Sequence, residues 1–88
     1  VSERVTREQV ESRLRERLAP LALEVIDESH LHAGHGAPGA HYRVQIVSER
    51  FAGLSRLAAQ RLVYEALADW LGGPIHACAV SARAPRNG

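Results

Sequence analysis

His41-Tyr42-Arg43-Val44-Gln45-Ile46-Val47-Ser48 alternates apolar Tyr42, Val44 and Ile46 with polar His41, Arg43 and Gln45. That is the period-two pattern of a strand with one buried face. Upstream, Leu21 to Asp27 is rich in Leu, Val and Ile and too short before its acidic end to be a helix, so it reads as a second strand. Glu28 to Ala40 joins the two and holds Gly34, Gly36, Pro38 and Gly39, a loop too long for a tight hairpin turn. A loop of that size in a small domain usually has a task.

Further out, Thr6-Arg7-Glu8-Gln9 has the form of a capping box, with Val5 placed to staple onto Val10. Val10, Leu14 and Leu18 then recur every four residues, and Pro20 blocks continuation, which predicts a first helix over 7–19. On the other side, Ser55 can cap a long helix whose core face is Leu57, Leu62, Val63, Ala66, Leu67, Trp70 and Leu71, ended by Gly72 or Gly73. Pro74 separates it from Ile75 to Ala82, whose small and apolar residues on both faces predict a strand covered on both sides or central in a sheet. The order helix, strand, strand, helix, strand is that of an α+β domain, one sheet with helices packed on it, spanning residues 1–88. Residues 1–5 and 83–88 are expected to fray.

At 88 residues and 45% hydrophobic, the chain can close one modest core. A single cysteine, Cys78, forbids an internal disulfide, and the charged start of the sequence has neither a signal segment nor a membrane-length apolar run. A cytoplasmic location is the expectation. Net charge is +1, so the strong positive field of a dedicated nucleic-acid binder is missing, which leaves only a local patch for such a partner. All 11 basic residues are arginine, which suits bidentate contacts to phosphate or carboxylate but equally follows from codon bias.

Four of the five histidines, His30, His32, His35 and His41, lie within residues 30–41, three of them in the glycine-rich loop. Neutral imidazole is a common metal ligand, and a loop can turn several rings toward one ion. Loop composition alone fits a metal site and an exposed polar loop equally. His76 lies in an apolar run, Pro74-Ile75-His76-Ala77-Cys78-Ala79-Val80, where the ring needs a backbone partner, solvent or a ligand. Cys78, between two alanines, reads as a small buried hydrophobe. Sequence signatures of hydrolases, zinc proteases and phosphate-binding loops do not occur, so a non-enzymatic role is expected. Gly36-Ala37-Pro38-Gly39 matches the backbone-clamping Gly-x-x-Gly of KH domains, but here it joins two strands and not two helices.

Several segments together resemble the BolA family: Glu24-Val25-Ile26-Asp27-Glu28-Ser29, Tyr42-Arg43-Val44-Gln45-Ile46-Val47-Ser48-Glu49-Arg50-Phe51-Ala52-Gly53, Arg61-Leu62-Val63-Tyr64 and Gly73-Pro74-Ile75-His76-Ala77. The resemblance covers nearly the whole chain and implies an α-β-β-α-α-β order like that of class II KH domains, adding a short helical turn near Phe51 to Leu57. It implies complex formation with a monothiol glutaredoxin and glutathione around a shared [2Fe-2S] cluster. His76 stands at the family's histidine ligand position and His32 aligns with the loop ligand, while His35 and His30 are close enough to compete. It implies, as a second tradition, stress-linked transcriptional regulation through duplex DNA, for which Arg61, Arg56, Arg50 and Arg83, with Arg86, are the candidate contacts.

Two departures weigh against the DNA role. Ala59-Gln60-Arg61 replaces a common Arg-His-Arg, and Arg83-Ala84-Pro85-Arg86 lacks the usual aromatic ending; phosphate contacts supply most nucleic-acid affinity. Zinc held by His30, His32, His35 and His41 is a third option. A [2Fe-2S] cluster needs four ligands, so the isolated chain is expected to hold none and to be a monomer or weak homodimer when free.

Overall fold

The structure is a computed structural model of the chain and describes residues 5–28 and 40–85. The capping box forms as expected: the Gln9 N–H donates to the Thr6 hydroxyl at 3.2 Å, and the Thr6 N–H to the Gln9 side chain at 2.8 Å. Helix α1 (Arg7–Leu18) buries Val10, Leu14 and Leu18. It stops one residue early because Ala19 turns left-handed, with φ 44°, and its N–H donates to the Arg15 carbonyl.

Strand β1 (Ala22–Asp27) pairs antiparallel with β2 (Ala40–Val47), which pairs parallel with β3 (Ile75–Arg83), in the order β1-β2-β3. Val25, Tyr42, Val44, Ile46 and Ala82 turn to the helices and are buried. Residues Glu24, Arg43, Gln45, Ala77, Ala79, Ser81 and Arg83 occupy the opposite face and are exposed. The expectation that β3 is central or covered on both sides is therefore corrected: it is an edge strand. Alanine on both faces made it look covered, but alanine loses little when left in water. Its outer edge is blunted by the second helix, since Gln60 Nε2 donates to the Val80 carbonyl and the Tyr64 hydroxyl to the Cys78 carbonyl, each at 3.1 Å.

That helix, α2 (Arg56–Ala66), is capped by Ser55 and ends well before Gly72. Leu67 is fully buried, and its N–H is shared between the Val63 and Tyr64 carbonyls, the loosened bonding of a helix end. Leu57, expected in the core, is 60% exposed. At about 100° per residue it lies about 200° around the helix from Ala59, and Ala59, Val63 and Ala66 form the buried stripe.

The extra turn falls earlier than expected, as a 3-10 turn over Glu49–Phe51. Ser48 organises it. The buried Ser48 hydroxyl donates to the Leu18 carbonyl at 2.6 Å and accepts from the Arg50 N–H at 3.1 Å, and the Ser48 N–H donates to the Arg83 carbonyl. One small polar residue thus ties the end of α1, the end of β2 and the end of β3. The ends are firmer than expected at two points. Val5 is buried, its carbonyl accepting from the Tyr42 hydroxyl at 2.7 Å, and Arg83 belongs to β3. Among the described residues no helix is long and apolar enough to cross a membrane.

Candidate functional site at the histidine end of the sheet

Because β2 and β3 run parallel, both begin at the end of the sheet where antiparallel β1 finishes. There the register steps from Ala40↔Ile75 to His41↔Ala77 and passes over His76. An extra residue of this kind is a bulge, a device that recurs at sheet rims beside functional sites. The Glu28 N–H donates to the His41 carbonyl at 2.7 Å, and the Arg43 Nε to the Glu28 carboxylate at 2.9 Å. The chain through residues 29–39 therefore leaves and rejoins the sheet at the end that carries His76.

His30, His32 and His35 lie outside the described residues, but their points of attachment do not. Glu28 is two strands from β3, roughly 10 Å. Four residues, the separation of His32 from Glu28, span at most about 14 Å. His41, the one member of the four-histidine zinc set within the described residues, sits half-buried on β2 in register with Ala77.

The segment that delivers the chain to His76 is closely tied. The Ile75 N–H donates to the Trp70 carbonyl at 2.9 Å, and the Gly72 N–H to the Ile75 carbonyl at 3.0 Å, with Gly72 at φ +83°, a conformation that favours glycine. Ile75 is fully buried. Arg13 of α1 grips the start of this segment: its Nη1 lies 2.9 Å from the Ala66 carbonyl and 2.7 Å from Asp69 Oδ1, and its guanidinium carbon stands 3.9 Å over the Trp70 ring. Apolar periodicity gave Arg13 no weight. The available signal was its position beside Val10 and Leu14, at the border of the buried stripe.

Cys78 faces the helices and is half-buried, and burial pushes its thiol up to about 11. In the metal-free chain burial thus disfavours its thiolate, the reactive form.

The arginines mark the other end. Arg50 is in the 3-10 turn, Arg56 opens α2 and Arg83 closes β3, seven residues or roughly 23 Å along the strand from His76. Arg61 lies farther along α2, and Arg86 is outside the described residues. All four described side chains belong to exposed residues, and among the described residues the ion pairs fall to Arg7, Arg13, Arg15 and Arg43 instead. Among the described residues, Arg50, Arg56 and Arg83 thus lie at the end of the sheet opposite His41 and His76, and Arg61 lies between.

The sequence profile of BolA-like proteins matches residues 14–87. The chain belongs to the BolA-like family. It is 49% identical to BolA-like protein 1 of Homo sapiens over 76 residues, 86% of this chain and 56% of that protein. It is 39% identical to the DNA-binding transcriptional regulator BolA of Escherichia coli (strain K12) over 74 residues, 84% of this chain and 70% of that one. The crystal structure of a bol-like protein from Babesia bovis superposes with a TM-score of 0.81 at 36% identity, covering 97% of this chain and 91% of that one. The chain thus spans a little over half the length of its mammalian BolA-like relatives. The BolA-like fold of two helices on a three-stranded sheet is shared.

Proposed function

We propose that this BolA-like chain is a non-catalytic cytoplasmic adaptor that binds a monothiol glutaredoxin and shares a [2Fe-2S] cluster with it and glutathione. His76 and His32 are its ligands, with His35 and His30 as alternates to His32. The observation that carries this reading is the shared sheet end: the bulge at His76 and both attachments of the histidine loop lie together.

The donor set suits half a cluster and no more. Four ligands are required, the only thiol, Cys78, is half-buried and in register with the buried Tyr42 on the helix-facing side of the sheet, and imidazoles from one strand and one loop leave the remaining positions to thiolates from elsewhere. Anaerobic reconstitution with and without a monothiol glutaredoxin and glutathione tests this. A coloured complex should form only with all components, and a stable cluster on the isolated chain would refute the shared arrangement.

A second reading is favoured by the arginine end. Arg50, Arg56, Arg61 and Arg83 are exposed and have no carboxylate partner among the described residues, and the Escherichia coli relative carries a DNA-binding regulator's name. In this reading the chain binds duplex DNA through those side chains. Affinity should then fall steeply with salt, and Arg61→Ala should flatten that slope. Absence of a duplex shift at low salt would eliminate it.

A further inference from the structure

We infer that Arg13 is a positioning residue for His76, acting from α1 through the α2–β3 connection. The inference rests on the reading of His76 as a cluster ligand. Arg13 makes three kinds of contact at once with one short segment: to the last carbonyl of α2 at Ala66, to both carboxylate oxygens of Asp69 at 2.7 and 3.3 Å, and across the face of Trp70 at 3.9 Å. A planar guanidinium can satisfy all three, whereas a lysine cannot reproduce the fork. The segment it holds is the one whose Trp70 carbonyl receives the Ile75 N–H at 2.9 Å. Ile75 is fully buried and is bonded covalently to His76.

Beyond Ile75 the ladder to β2 skips a residue. A bulged residue lacks the pairing that fixes its neighbours, so its placement depends more on the segment entering the strand than it would in a regular ladder. Arg13 supplies that constraint from the middle of α1. Asp69 is the exposed half of the grip, its side chain 63% accessible against 20% for Arg13, so the ion pair alone contributes little. The stacking and the half-buried bond to the Ala66 carbonyl carry the hold.

The test combines amide hydrogen exchange on the free chain with visible circular dichroism of the cluster complex formed with a monothiol glutaredoxin and glutathione. In Arg13→Ala the Ile75 amide should exchange at least tenfold faster than in wild type, while Val44 and Ile46 change less than threefold. The cluster spectrum should change shape, and Arg13→Lys should not restore it. If Arg13→Ala fails to fold, Asp69→Asn, an exposed change, should act in the same direction by about twofold to fivefold at Ile75. Uniform acceleration across the sheet, or an unchanged Ile75, would overturn the inference, as would an unaltered cluster spectrum in Arg13→Ala. A wild-type chain that forms no cluster with glutaredoxin is a different result: it removes the ligand reading itself and the inference with it.

Discussion

The Glu28 N–H donates to the His41 carbonyl across 2.7 Å, and among the described residues this bond is the last tie between the β1 side and β2 ahead of residue 29. It sets the base of the histidine loop independently of any partner. The Arg43–Glu28 ion pair beside it, at 2.9 Å, is half-exposed at the arginine. Pairs of that kind are worth less than about 1 kcal/mol. Arg43→Ala should therefore lower unfolding stability by no more than that in urea titration. A loss above about 2 kcal/mol would mean that the pair holds the fold and not only the loop base.

Ser48→Ala should cost about 1–3 kcal/mol, a large effect for removing one oxygen. The hydroxyl is fully buried between the Leu18 carbonyl and the Arg50 N–H, and its loss leaves the buried carbonyl without that donor. Chemical denaturation of wild type and variant at one pH measures it. A change below about 0.5 kcal/mol would indicate that water replaces the hydroxyl.

Much of this architecture was legible because its determinants are local. Thr6 and Gln9 announce the start of α1, and the alternation through Tyr42, Val44 and Ile46 announces a half-buried strand. What escaped depends on partners distant in sequence. The edge position of β3 is settled by its pairing with β2 and by Gln60 and Tyr64, not by its own alanines. Leu57 looked like core because leucine is apolar, yet the helix phase set by Ala59 and Val63 turns it outward. His76 stood out as a polar ring in an apolar run, but only the family resemblance favoured the ligand reading, and the bulge at it was legible through neither composition nor periodicity. Arg13 escaped because its three contacts lie more than 50 residues away along the chain.

Cys78 should be unreactive in the native protein. With the thiol pushed up to about 11 by burial, about one molecule in a thousand carries the thiolate near pH 8. Iodoacetamide should modify it far more slowly than in urea, and Cys78→Ala should keep the shared-cluster spectrum. Rapid native labelling would contradict that burial.

The Arg13–Asp69 grip should persist across the neutral range. The hydrogen bond from Arg13 is the main cause that holds the Asp69 carboxyl below its ordinary value. A group depressed on folding contributes its stability above the unfolded value, near 3.9, and loses it as pH falls through the lower folded value. The difference in denaturation midpoint between wild type and Asp69→Asn should thus stay constant from about pH 8 to about pH 5 and close only below about pH 3.5. A difference that closes between about pH 6 and 5 would assign it to another group.

The central claim is that His76 anchors a cluster that the loop histidine completes from this side. The backbone of a strand-borne ligand is held by the sheet before a partner arrives, whereas His32 has neighbours such as His35 in the same sequence segment that can replace it. The most direct measurement is the visible circular dichroism of the complex reconstituted with monothiol glutaredoxin and glutathione, for wild type, His76→Ala and His32→Ala. The account predicts that His76→Ala abolishes the shared-cluster spectrum, while His32→Ala alters or weakens it and leaves the complex intact. An unchanged spectrum in His76→Ala would contradict it.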